Sequence, residues 1–259
     1  MNNRRQHHWI AFSTLVTREI RRFLRIWAQT LLPPAITMTL YFIIFGNLIG
    51  TRIGEMDGFS YMEYIAPGII MMAIINNAYS NVASSFFSAK FQNHIEELMV
   101  SPVPNYIILA GYVVGGVVRG LCVGLIVTLV SLFFTKLTIQ HIGITICMVF
   151  LSAIMFALGG FINALYARSF DEISIIPTFI LTPLTYLGGV FYSISLLPEF
   201  WQNVSLLNPV LYMVNAFRYG LLGVSDIPVV AAFAIILLFI TALTAYALYL
   251  LHKGTGLRN

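Results

Sequence analysis

Six stretches of this sequence are long and apolar enough to cross a hydrocarbon core, which needs about 20 helical residues. They cover residues 27–49, 64–87, 106–134, 142–166, 173–192 and 227–251. In lipid no backbone group can go unpaired, so each such run is expected to be a helix. Only 9% of the residues are charged and 59% are hydrophobic, against roughly 25% charged in an ordinary soluble domain. So few charges cannot cover a water-facing surface, and the expected solvent is mostly lipid. An even number of crossings puts both termini on one side. That side would carry Arg4, Arg5, Arg18, Arg21, Arg22, Arg25, Lys90, Arg168, Lys253 and Arg258, the other only Arg52, Lys136 and Arg218, with Arg119 inside a run. Cation-rich loops are cytoplasmic, so both termini are expected inside the cell.

Residues 9–27, WIAFSTLVTREIRRFLRIW, have helical period. Trp9, Phe12, Val16, Ile20, Phe23 and Trp27 fall in one arc, with Arg18, Arg21, Arg22 and Arg25 roughly opposite. The pattern predicts an interfacial amphipathic helix, apolar face in the acyl boundary and arginines toward anionic headgroups. The chain thus divides into an N-terminal segment, 1–26, and a six-span domain, 27–259.

Between the second and third runs the sequence reads FQNHIEELMVSPVP. Asn93 is placed to cap a two-turn helix over 94–100, with Glu96 and Glu97 at its positive end and Ser101-Pro102 stopping it. Ile95, Leu98 and Met99 share a face. So short a helix needs a surface to pack on, either the protein's own cytoplasmic side or a groove on a partner. A second irregular stretch lies between runs five and six, about 193–225. Asn208-Pro209 reads as a cap followed by the first helical position, and a helix is expected to Leu222 with Gly223 ending it. A shorter helix is expected over 198–206. Apolar, yet too short to cross twice, the pair reads as re-entrant.

Several activities lack their residues. The sequence contains no G-x-x-x-x-G-K-[ST] loop, no metal-binding H-E-x-x-H and no G-x-S-x-G. No acid or histidine lies deep in a run, as a proton-coupled pump would need. The formal charge of +4 is too small to point to nucleic acid, and Cys122 and Cys147 form no paired motif. No catalytic or metal site is expected on this chain, and any energy source would be another polypeptide. Asn77 and Asn81 on one face of the second run, and Arg119, the one full charge deep in a run, are candidate pathway residues, the alternative being that the asparagines hydrogen-bond neighbouring helices and Arg119 snorkels or bonds carbonyls. Gly111 with Gly115, and Gly116 with Gly120 and Gly124, read as close helix contacts. Pro33, Pro34, Pro177 and Pro183 are expected to kink runs one and five.

The segments EELMVSPVP, TPLTYLGGVFYSISLLPEFW and LNPVLYMVNAFRYGLLG resemble the membrane permease of bacterial type-2 ABC exporters, and the likeness extends over nearly the whole chain. It implies a permease in the bacterial inner membrane that moves a drug-, lipid- or glycan-like substrate outward. It also implies a second permease copy and two cytoplasmic ATPase subunits, which hold ATP and magnesium. Residues 93–101 would then be the coupling helix, with Ile95, Glu96, Glu97, Leu98 and Met99 at the ATPase, and Tyr186 would lie near the gate. The contrasting expectation is a membrane scaffold or passive channel with no ATPase.

Overall fold

The computed structural model describes residues 2–256. Arg258 lies outside the described residues, as do the side chains of residues 2–4, Asn47, Glu96, Glu97 and Met99. The described residues are all-α but for one hairpin. Helix α1 spans Asn2–Arg25, and α2 spans Trp27–Ile53 with a π-helical stretch over Phe42–Ile49. Strands β1 (Glu55–Met56) and β2 (Phe59–Ser60) pair antiparallel around Asp57 and Gly58, whose φ angles of 52° and 80° suit a tight two-residue turn. Then come α3 (Tyr61–Phe91), α4 (His94–Val100), α5 (Asn105–Ser131) and α6 (Ile142–Tyr166). Helix α7 starts as Phe170–Ile176, widens to a π turn over Pro177–Leu181 and ends as Thr182–Tyr186. Helices α8 (Glu199–Ser205), α9 (Pro209–Leu222) and α10 (Val229–Lys253) complete the bundle.

Among the described residues, four helices are long and apolar enough to cross a membrane: α2, α5, α6 and α10. The other two expected runs differ for physical reasons. Residues 64–87 lie inside α3, which is buried on nearly every side and carries Asn76, Asn77, Asn81 and several serines. A helix surrounded by other helices can hold polar groups that lipid would reject. The 173–192 run stops as a helix at Tyr186, because Gly188 and Gly189 follow and Gly189 turns left-handed at φ 69°.

Helix α3 is the hub. It packs along α5 and α6, and α9 lies against α3, α6 and α10. The two glycine rows of α5 serve two different neighbours. A methyl built on Gly116 would stand 2.5 Å from Val82 Cγ2, and one on Gly124 2.6 Å from Ile74 Cγ1, so that row admits α3. Gly111 and Gly115 face α1 instead.

The prolines act differently from one another. Pro33 and Pro34 fall in the first turn of a new helical segment, Leu32–Tyr41, rather than in a helix interior. The break before them is held by the Thr30 hydroxyl, which donates to the Phe23 carbonyl at 3.0 Å. Pro177 has no amide for the carbonyl four residues earlier, that of Ile173. The buried Asn163 of α6 donates its Nδ2 to that carbonyl at 3.0 Å. Asn163→Leu is therefore expected to cost about 1–3 kcal/mol, the usual loss for an orphaned buried acceptor. The check is the thermal midpoint of the detergent-solubilised protein, and an unchanged midpoint would disprove it.

Candidate functional site

Helix α1 docks lengthwise on α5. His8 meets Tyr106, Leu15 sits over Gly111 and Glu19 over Gly115, a parallel register. A methyl on Gly115 would come within 2.5 Å of the Glu19 Cβ. The buried face of α1 is Leu15, Glu19 and Phe23, while Trp9 and Trp27 stay exposed and Phe12 is half-buried. This corrects the expected orientation. The apolar arc is shared between protein and exterior, and two of the arginines turn inward.

They turn because of Glu19, which is only 1% exposed. Its carboxylate accepts from Arg18 Nη2 at 3.3 Å and lies 3.5 Å from Arg22 Nε, an ion pair without hydrogen-bond geometry. Arg18 also donates to the Tyr112 hydroxyl at 2.7 Å. Arg22 donates to Asn81, at 2.8 Å to Oδ1 and 3.1 Å to the backbone oxygen. One turn farther along α5, Arg119 donates to Asn77 Oδ1 at 3.3 Å, and Asn77 returns its own amide to the Ala73 carbonyl. Arg18 still leaves 44% of its side chain exposed, and Arg21 and Arg25 are exposed as well.

The structure thus joins residues that the sequence left in three separate groups. Arg18 and Arg22 of α1, Asn77 and Asn81 of α3, and Arg119 of α5 form one polar seam. Glu19 was missing from the expected set. Its signal was present, since seven residues after Phe12 and four before Phe23 it falls on the apolar arc itself.

Tyr186 belongs elsewhere. Its hydroxyl lies 3.2 Å from that of Tyr41, and Tyr41, Phe45, Tyr186 and Phe191 form an aromatic cluster in which Phe45 and Phe191 stack at 4.5 Å.

Helix α4 sits at the far end of α3. Asn93 does not take the extended backbone of an N-cap. Its φ of 60° ends α3, and its amide bonds back to the Lys90 carbonyl. Ile95 is 3% exposed and Leu98 half-buried, both against the bundle core, and the Ser101 hydroxyl closes the helix on the Leu98 carbonyl at 2.7 Å. Ile95 is therefore a core residue of this chain and cannot enter a partner's groove. Val100, 87% exposed, His94 and the neighbouring Phe91 face outward. The sequence-derived candidates Glu96, Glu97 and Met99 have side chains outside the described set. Lys90 anchors the junction. Its ammonium donates to the carbonyls of Leu165 and Ala167 at 2.8 and 2.7 Å, closing the C-terminal end of α6. Burial draws the Lys90 pKa below that of a free lysine, with Glu172 opposing the shift and Arg168 adding to it.

Among the described residues the arrangement offers hydrogen-bonding and ionic contacts that hold and orient these helices. Residues 10–222 match the family described as ABC-2 type transporter. The chain is 57% identical over 252 residues to the inner membrane transport permease YadH of Escherichia coli K12, covering 97% of this chain and 98% of that protein. It is 20% identical over 185 residues to nodulation protein J of Rhizobium leguminosarum bv. viciae, 71% of each chain. Against nodulation protein J of Sinorhizobium fredii the figure is 22% over 175 residues, 67% of each.

Proposed function

The chain belongs to the ABC-2 type transporter family, and on that premise we propose that it is the membrane half of an ATP-driven exporter. Membership makes it a multi-pass transport permease of the inner membrane, a subunit that is not itself an enzyme. In our reading the chain crosses six times, with α3 and α7 as the second and fifth crossings and both termini in the cytoplasm. Helices α8 and α9 form a re-entrant pair, a reading supported by the deep burial of α9 among α3, α6 and α10. The motor is a separate cytoplasmic ATPase that carries ATP and magnesium, and the path runs between two copies of this permease. The cargo is a drug-, lipid- or glycan-like molecule moved outward.

The observation that carries this reading is mechanical. Helix α3 is one continuous helix from Tyr61 to Phe91, buried at the centre of the bundle, and α4 follows it after two residues. A push on α4 is delivered to the hub, and α4 itself is pinned to the core by Ile95 and Leu98. In our reading the coupling surface is the outward side of the 94–100 helix, where His94 and Val100 lie exposed beside Phe91, and the sequence adds Glu96, Glu97 and Met99 as candidates.

Phe91→Asp together with Val100→Asp is expected to cut co-purification of the ATPase by tenfold or more, the scale of a lost interface hot spot. The permease should remain monodisperse, since both side chains are exposed. Full retention of the ATPase by this variant would overturn the assignment of α4. The absence of any co-purifying ATPase from the unaltered protein would overturn the exporter reading itself.

A further inference from the structure

The seam between α1, α3 and α5 is short of negative charge. Arg18, Arg22 and Arg119 share the seam with one carboxylate, that of Glu19, which pairs with Arg18 and Arg22. The parallel register that sets Leu15 on Gly111 and Glu19 on Gly115 carries Arg22 and Arg119 one turn on, where they bond to Asn81 and Asn77, themselves one turn apart on α3. Arg22 lies 3.5 Å from Glu19 without hydrogen-bond geometry, and its hydrogen bonds, like that of Arg119, go only to neutral asparagine oxygens, those of Asn81 and Asn77. Buried donors are also left over. Among the described residues, Arg22 Nε, Arg119 Nε and Asn81 Nδ2 have no hydrogen-bond partner, although Asn81 is fully buried. A structural ion network in an apolar bundle would balance its charges, because each uncompensated cation carries a desolvation penalty of several kcal/mol.

The seam is not sealed. Arg22 also lines a groove of about 550 Å³ on the free side of α1, with Arg18, Arg21, Arg25, Thr14 and Thr17. Its four guanidiniums and three hydroxyls, that of Ser13 included, are donors for anionic oxygens. The apolar residues that flank α1, among them Trp9, Leu24 and Trp27, are exposed, as suits neighbouring acyl chains. We propose that this groove and the seam behind it form a site for the anionic headgroup of a membrane amphiphile, a phosphate or carboxylate held between Arg22 and Arg119 with its tails alongside α1. Planar guanidiniums take two oxygens of such a group at once, and the asparagine amide supplies a further donor. The site needs no nucleotide and no ATPase, so it is testable apart from the exporter reading.

The test uses the full chain in neutral detergent, by native mass spectrometry, with phosphatidylglycerol or phosphatidylcholine of identical tails added. Unaltered protein is expected to retain phosphatidylglycerol about tenfold more than phosphatidylcholine. Arg22→Gln and Arg119→Gln should each remove most of that preference, while Arg119→Lys, which keeps the charge, should retain part of it. Each variant is first checked for a monodisperse elution profile. If Arg119→Gln fails that check, Asn77→Leu, which frees the Arg119 guanidinium, is expected to keep or raise the preference. Equal retention of the two lipids by the unaltered protein would overturn the proposal, as would a preference unchanged in Arg22→Gln. Displacement of phosphatidylglycerol by an equal concentration of inorganic phosphate would overturn the amphiphile, leaving a site for free anions.

Discussion

Replacing Gly160 by leucine is expected to leave almost no folded protein in the membrane, whereas leucine at Gly143 on the same helix should have no effect. The difference lies in what each position touches. A methyl at Gly160 would overlap the backbone carbonyl of Tyr79 and stand 3.3 Å from the Ala83 amide, the inner wall of α3. Gly143 has nothing within 4 Å. A side-chain neighbour can rotate away, but a helix backbone cannot, so α3 and α6 would have to separate along their contact. Overpacking costs about 1–3 kcal/mol where neighbours can yield and more where they cannot, against a total stability of about 5–15 kcal/mol. In lipid, packing is itself the main force between helices, because apolar side chains gain nothing by leaving the hydrocarbon. Recovery of monodisperse protein from membranes and its thermal midpoint decide the matter. A Gly160→Leu protein with the unaltered midpoint would show that the α3–α6 contact is not close in solution.

The same reasoning shows what a sequence of this kind discloses. Helix ends written in side chains and turns were legible. Asn208 accepts from the Val210 amide at 2.9 Å, Pro209 opens α9, and Gly223 closes it at φ 78°. Glycine rows were legible as contacts, since nothing else explains that spacing in an apolar helix. What they contact was not, because Gly115 and Gly116 are adjacent in sequence and face different helices. The facing of α1 failed for a related reason. Hydropathy separates apolar from polar, and α1 divides its apolar arc between protein and exterior, a distinction set only by the register with α5. Glu19 became intelligible once Arg18 and Arg22 were seen beside it. Ser60 and Glu63 form a capping box at the start of α3, with Ser60 N donating to Glu63 at 3.1 Å, and the S-x-x-E spacing is plain in the sequence.

Charge counting failed in a more instructive place, and the second large effect follows from it. Arg218 enters a loop census as a free cation, but it is 0% exposed. Its Nη2 donates to the Gly189 carbonyl at 2.6 Å and its Nε to the Tyr64 carbonyl at 3.3 Å, while the guanidinium lies 4.0 Å from the centre of the Tyr64 ring. One side chain of α9 thereby ties the start of α3 to the left-handed turn after α7, the turn that leads to Phe191 and its aromatic cluster. Arg218→Met keeps the length and removes every donor. The Gly189 carbonyl then loses its partner at about 1–3 kcal/mol, while the Tyr64 carbonyl keeps its place in the α3 ladder, and a desolvated cation–π contact of about 2 kcal/mol disappears. Relief of the buried charge's desolvation works in the opposite direction. The balance is expected near 3 kcal/mol and local to the turn, because Val190 is held there against Gly68 by backbone contact. A cysteine at Val190, in a chain whose Cys122 and Cys147 are replaced by alanine, reads this directly. It should be shielded from maleimide beside Arg218 and become labelled in the Arg218→Met background, with Arg218→Lys between them because an ammonium lacks the extended planar fork by which Nε and Nη2 reach the two carbonyls while the guanidinium covers the Tyr64 ring. Equal shielding in all three would mean that the turn is held by its own backbone and the guanidinium is incidental to it.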